Sequence, residues 1–200
     1  MKSVAKKVAV NVNKGFFIGL EKDLRHKDQE LGRALALFFI NEGKPSVVDL
    51  GCGLGFLVKE LRDHQIKCDG FDGNPSTPEI TSWIDSKPPC RVLDLSEPIL
   101  FPQKYDWAIS LEVGEHIPKE FEDEFINNLH NNNIKGIILS WAIKGQPGNG
   151  HINCQNNDYI KSKMCELGYI NDMEAEKKLR DSSTLWWFKN TIMVFRKLPA

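Results

Sequence analysis

The sequence lacks an excess of either charge: 26 Lys and Arg stand against 27 Asp and Glu. A general nucleic-acid-binding surface carries a basic footprint, so none is expected beyond a local patch. No apolar run approaches the ~18 residues that a membrane-spanning helix needs, so no membrane association is expected. Lys6, Lys7, Asn11 and Asn13 interrupt the stretch after Met1 where a secretory signal would need its apolar centre. The five cysteines, Cys52, Cys68, Cys90, Cys154 and Cys165, are scattered, odd in number and without C-x-x-C spacing. That argues against a disulfide framework and a cysteine zinc site, and for reduced thiols in a cytoplasmic protein. Internal repeats and low-complexity tracts are absent as well.

What remains is a chain of 200 residues and 41% hydrophobic content, the size and composition of one globular domain. We expect a single domain over 1–200, with residues 1–28 as an N-terminal arm or short helices packed on one edge. Gln29 to Asn41 has helical apolar spacing at Leu31, Ala34, Leu35, Phe38 and Phe39, and Gly43 and Pro45 stop it. Apolar runs predict strands at 47–50, 67–72, 91–95, 105–111, 134–141, 169–173 and 191–195. Helical patterns fall near 57–64, 79–84, after Pro118, and over 157–167 before Gly168. The polar stretch 142–156 reads as a loop outside the core, either a lid or an ordinary connector, and 174–188 reads as an insertion. Alternating strands and helices specify an α/β fold with a mostly parallel sheet.

The most informative stretch is Val47-Val48-Asp49-Leu50-Gly51-Cys52-Gly53-Leu54-Gly55-Phe56-Leu57. It reads as a buried strand, a glycine turn and a helix start, the geometry that brings backbone N–H groups up to a polar ligand. A dinucleotide fingerprint is G-x-G-x-x-G, and Phe56 stands at its third glycine position. A nicotinamide-dependent oxidoreductase is therefore disfavoured. Asp72 ends the second strand about 20 residues on, where an acidic side chain accepts ribose hydroxyls; the competing role is a turn Asp before Gly73.

Asp-x-Gly-x-Gly-x-Gly at the end of a first strand resembles motif I of class I S-adenosylmethionine-dependent methyltransferases. The resemblance spans about Gln29 to Lys197. It implies a three-layer, Rossmann-like sheet of seven strands with the last strand antiparallel. It also implies S-adenosylmethionine as the cofactor, held by Asp49, Gly51, Cys52, Gly53 and Gly55, with Asp72 and Gly73 at the ribose. Asp94 and Leu95 would lie against the adenine, unless Asp94 is a turn cap. Leu111 and Glu112 would complete that site.

Leu111-Glu112-Val113-Gly114-Glu115-His116-Ile117 follows the fourth strand. In one helical turn, positions i, i+3 and i+4 share a face, so Glu112, Glu115 and His116 would converge. Like charges this close repel unless a proton or a cation lies between them. The wording resembles coenzyme Q biosynthesis O-methyltransferases and the enzymes that methylate the terminal 2′-hydroxyl of small RNAs. The latter resemblance implies a divalent metal on Glu112, Glu115, His116 and a distant histidine, here His151. Two carboxylates and two imidazoles suit Mg²⁺, Mn²⁺, Fe²⁺ or Zn²⁺. Without a metal, His116 would be a general base or a substrate contact and Glu112 would orient the loop, with Glu115 and His151 the other catalytic candidates. Trp141, Trp186, Trp187 and Phe188 are either pocket walls or core, and His26, His64 and His130 are expected in solvent.

The expected function is methyl transfer to a small-molecule acceptor, at oxygen before nitrogen, by a monomer or homodimer. The competing expectation is a non-catalytic cofactor-binding protein.

Overall fold

The computed structural model describes residues 9–18, 27–84 and 88–199. Much of the expected arm, including His26, lies outside the described residues. Its described part is no helix: β1 (Ala9–Val10) and β2 (Phe17–Ile18) form a small antiparallel hairpin.

Helix α1 (Gln29–Asn41) starts at Asp28, whose side chain accepts from Leu31 N at 3.1 Å. It ends where Gly43 takes a positive φ of 84°, a conformation that glycine adopts without a Cβ penalty. The chain then runs through β3 (Val47–Leu50), α2 (Phe56–Asp63), β4 (Cys68–Asp72), α3 (Thr77–Ile80), β5 (Arg91–Val92) and β6 (Tyr105–Leu111). After two short 3₁₀ turns come α4 (Glu122–Asn131), β7 (Asn133–Ser140), α5 (Asn157–Glu166), β8 (Tyr169–Asn171), α6 (Met173–Ser182), α7 (Trp186–Thr191) and β9 (Met193–Lys197).

Seven strands form one sheet in the order β5-β4-β3-β6-β7-β9-β8. The pairs from β5 to β7 are parallel, and β9 runs antiparallel to both β7 and β8. This is the expected fold: a Rossmann-like sheet with an antiparallel last strand. All four residues of β3 are buried, as a strand covered on both faces requires. One face packs against Leu31, Leu35 and Phe39 of α1, Val58 and Leu61 of α2, and Leu179 of α6. The other packs against Phe125, Ile126 and Leu129 of α4, and Ile160 and Met164 of α5. Each such side chain contributes about 1.5–3 kcal/mol by leaving water.

Several expectations need correction. Little helix was expected before the last strand, yet α6 and α7 lie there. Asp172 caps α6 by accepting from Ala175 N at 3.0 Å, and Leu179 and Phe188 supply its apolar contacts. Strand β5 stops at Val92, because Asp94 turns the chain by accepting from both Ser96 N and Ser96 Oγ. Helix α3, at Thr77–Ile80, starts two residues and ends four residues earlier than its apolar pattern suggested. The 142–156 stretch is not outside the core: Gln146, Asn153 and Gln155 are buried. Asn153 and Gln155 are satisfied there by Glu122, which accepts from Asn153 Nδ2 at 3.0 Å. His130 is half-buried beside Tyr169 rather than in solvent.

Candidate active site

In an open α/β sheet, the strand carboxyl ends form the ligand crevice. Here the ends of β3, β4 and β6 open into a cavity of about 580 Å³. The glycine loop forms its floor, with φ of 91° at Gly51, 51° at Gly53 and 75° at Gly55. The three glycines are needed for different reasons. A Cβ on Gly51 would lie 2.3 Å from Val113, and one on Gly55 would lie 2.6 Å from Ile84. A Cβ on Gly53 would meet nothing within 4 Å, so it would project into the cavity itself. Gly53 N donates to Asp72 Oδ2 at 2.9 Å, and Asn74 N donates to Asp72 Oδ1 at 2.9 Å.

Asp49, Cys52, Asp72, Gly73, Leu95, Leu111 and Glu112 all line the cavity. Asp94 does not; its carboxylate is bound by Ser96 and by Lys14, whose Nζ is 3.1 Å away. Burial pushes Asp49 well above the usual carboxylate range, with the Cys90 and Asp72 charges adding to it. Burial raises Asp72 too, while the N–H groups of Asn74 and Gly53 oppose the rise. A cavity with two carboxylates that resist ionisation suits a ligand offering a cation and hydroxyl donors.

The second constellation sits beside the end of β6. Residues 112–116 are not one helical turn, because Glu112 has a φ of +54° and the 3₁₀ turn begins at Gly114. Glu112 Oε1 accepts from Ser140 Oγ at 2.9 Å and Thr191 Oγ1 at 3.2 Å, and Oε2 accepts from Gln146 Nε2 at 2.9 Å. Glu115 is fully buried, and neither carboxylate oxygen has a hydrogen-bond partner among the described residues. Burial, then the nearby Glu112 carboxylate, push Glu115 well above its ordinary range. His116 Nδ1 lies 2.9 Å from Gly150 O, and His151 Nδ1 lies 3.1 Å from Gln146 O. Carbonyl oxygens only accept, so both rings donate from Nδ1 and a neutral ring carries its lone pair on Nε2. Potential ligand atoms of Glu115, His116 and His151 lie within 4.8 Å of one another; Glu112 is not in that group.

The aromatic candidates divide. Trp141 is core: it is fully buried, donates to Asn153 O at 2.6 Å and packs on Phe125. Trp186, Trp187 and Phe188 line the cavity, as do residues 146–149.

A model of the methyltransferase domain matches residues 24–132, more than half of the chain. The chain belongs to the methyltransferase domain family. It is an S-adenosylmethionine-dependent methyltransferase, and S-adenosylmethionine is its cofactor. Magnesium protoporphyrin IX methyltransferase of Synechocystis PCC 6803 with bound SAM superposes with a TM-score of 0.64 at 20% identity, over 85% of this chain and 79% of that one. The methyltransferase domain of bacterial CtHen1-C gives 0.61 at 21% identity, over 86% and 98%. The 1,6-didemethyltoxoflavin-N1-methyltransferase of Burkholderia thailandensis gives 0.60 at 13%, over 88% and 82%. These likenesses are of fold. No curated protein matches the chain. No helix among the described residues is long and apolar enough to cross a membrane.

From the sequence, the N-terminal arm, 142–156 and 174–188 were expected to shape the pocket of this methyltransferase; the arm lines the cavity as a hairpin rather than as short helices. Lys14, Gly15, Phe16 and Phe17 all line it. Phe17 meets the His116 ring edge-on at 4.7 Å, and Phe16 packs against Gly73. The apolar knot Phe16-Phe17-Ile18 was the available signal, but nothing local says which surface such a knot covers. Gln146, Ser140 and Thr191 were missed, since isolated polar residues carry no motif.

Proposed function

We propose that this methyltransferase acts on a hydroxyl of a small-molecule acceptor held beside Glu115, His116 and His151. The observation that carries this reading is Glu115: a buried carboxyl without a hydrogen-bond partner, facing two histidines tied through Nδ1 to backbone carbonyls. A carboxyl so placed is neutral, or serves a cation.

The cofactor supplies an electrophilic methyl on a sulfonium. For its binding, the open Gly53 face admits close backbone approach, Asp72 accepts from ribose hydroxyls, and Asp49 faces its cationic portion. Gly51, Cys52, Gly55, Gly73, Leu95 and Leu111 shape the rest of the site. The hairpin and Trp186 to Phe188 exclude water, which strengthens charge interactions inside. His116 removes the acceptor proton at Nε2, and Gly150 O stabilises the resulting imidazolium through Nδ1–H.

The donor set of Glu115, His116 and His151 also fits a divalent ion. Nδ1–H bonds to carbonyls are the outer contacts that orient metal-bound histidines, and three protein ligands leave positions open. Bound there, the ion would supply Lewis acidity toward hydroxyl oxygens. Glu112, held by Ser140, Thr191 and Gln146, would steady the loop carrying these groups. The same engagement of Glu112 favours the metal-free reading, with His116 acting alone as base.

The test is product formation over a panel of hydroxyl and amine acceptors, before and after exhaustive chelation. Turnover of amines alone would overturn the hydroxyl assignment, and undiminished turnover after chelation would leave the general-base form.

A further inference from the structure

Two buried thiols meet behind the glycine loop. Cys52 stands in the loop between Gly51 and Gly53, and Cys90 immediately precedes β5. They approach each other across Gly70 of β4. A Cβ built on Gly70 would lie 2.7 Å from Cys90 Sγ and 3.1 Å from Cys52 Cβ, so only glycine leaves room for the pair to meet. Both side chains therefore border the same small space beside Gly70. Cys90 is fully buried, whereas Cys52 lines the cavity and gives small oxidants their entry.

From this geometry we propose that Cys52 and Cys90 form a reversible disulfide that switches cofactor binding off. The inference rests on the cofactor occupying the glycine loop, as proposed above. The neighbouring Cys52 thiol lowers the Cys90 pKa, as does the Thr81 hydroxyl, against burial, which raises it. Thiolates react fastest with peroxides, so oxidation begins at whichever sulfur of the pair ionises. The chemistry balances with hydrogen peroxide as oxidant. One thiolate attacks a peroxide oxygen, the O–O bond breaks, and a sulfenic acid and one water result. The second thiol displaces the sulfenic hydroxyl as a second water, forming the S–S bond. Two thiols lose two electrons and two protons, and peroxide becomes two waters.

The consequence follows from what holds the loop. Gly51 N and Cys52 N both donate to Phe71 O, at 2.7 and 2.9 Å, and Gly53 N donates to Asp72 Oδ2. Drawing the two sulfurs to the ~2.05 Å of a disulfide moves Cys52 toward Cys90. Gly53 is the next residue, so its N–H is drawn off Asp72 and the cradle is distorted.

The experiment treats the full chain with hydrogen peroxide, maps disulfides by non-reducing peptide mass spectrometry, and measures S-adenosylmethionine affinity by calorimetry. A Cys52–Cys90 peptide, at least tenfold weaker binding, and recovery of both with dithiothreitol are expected. Saturating S-adenosylhomocysteine should slow the oxidation, because it covers the loop. Cys90→Ser and Cys90→Ala should bind like the reduced wild type and ignore peroxide; two substitutions guard against one that fails to fold. Absence of the Cys52–Cys90 peptide, or its formation with unchanged affinity, overturns the proposal. Failure of the reduced wild type to bind would instead sink the cofactor-site assignment, while the mapped disulfide would still report on the thiol pair.

Discussion

His151 Nε2 lies 3.9 Å from Glu115 Oε1. That is too long for a hydrogen bond and within the reach of one ion bound to both, since two bonds of ~2.1 Å span up to ~4.2 Å. A fully buried carboxyl facing an imidazole at this separation leaves room for one ion between them.

The first prediction uses that gap. Mn²⁺ or Zn²⁺ added to the chelated protein should raise its melting temperature, because an ion that binds only the folded state stabilises it. Glu115→Gln and His151→Ala should each abolish the increase, and the double variant should be no worse than either, because ligands of one ion act as a unit. Unchanged melting curves in wild type at saturating metal would remove the ion from the site.

A second prediction separates the glycines of the loop. Gly53→Ala places its methyl in the cavity and meets no protein atom within 4 Å. The fold should survive with a loss of about 1–2 kcal/mol for the left-handed conformation. Cofactor affinity should drop by at least about tenfold, or ~1.4 kcal/mol. Gly51→Ala, by contrast, drives its methyl into Val113 and should lower the melting temperature further. Calorimetry and thermal denaturation on both variants read the two effects apart, and equal cofactor binding by Gly53→Ala and wild type would refute the cradle.

How much of this was legible in the sequence depended on how local the cause was. Val47 to Leu50 and Asp49 to Gly55 encode strand and loop through burial and positive φ, which act within a few residues. Helix α1 was legible from its apolar spacing and its stop at Gly43, whereas the Asp28 cap emerged only in the structure. Helices α6 and α7 were read as an insertion, because α6 is mostly charged and Ala175 and Leu179 are its only buried apolar residues, beside a buried Glu176. Glu115 to His116 was legible as chemistry, but Glu112 was not legible as a partner of Ser140, Gln146 and Thr191. Those residues lie 28, 34 and 79 positions away, and no local rule links them. The hairpin form of the arm over the cavity was hidden for the same reason.

That hairpin supplies a third prediction. Lys14 Nζ bonds Glu97 Oε1 at 2.6 Å, Ser96 Oγ at 3.2 Å and Asp94 Oδ2 at 3.1 Å, fastening β1 and β2 across the cavity. Lys14→Ala should loosen this wall and speed cofactor dissociation severalfold, with little change in melting temperature, because the bonds are exposed and screened. Raising the salt concentration should speed release in wild type and barely affect Lys14→Ala. Stopped-flow release showing the same salt response in both proteins would rule out Lys14 as the fastener.

The last prediction concerns pH and Asp49. Burial holds its carboxyl well above the ordinary value of 3.8, and Asp72 and Cys90 add to the rise. With the native value raised and the unfolded value near 3.8, the folded protein binds more protons between the two. The cofactor-free protein therefore gains from Asp49 below pH 3.8, and that contribution is lost as pH climbs through the raised native value. Asp49→Asn should remove this term and flatten the dependence of stability on pH over that window. Cofactor binding carries the opposite sign. A cation beside Asp49 favours the carboxylate, so binding releases a proton and affinity increases with pH until Asp49 is ionised in the free protein. Calorimetry in buffers of different ionisation enthalpy counts that proton directly. Wild type should release it and Asp49→Asn should not. An equal proton count in the two proteins, with the same slope of affinity against pH, would place the cofactor's charge away from Asp49.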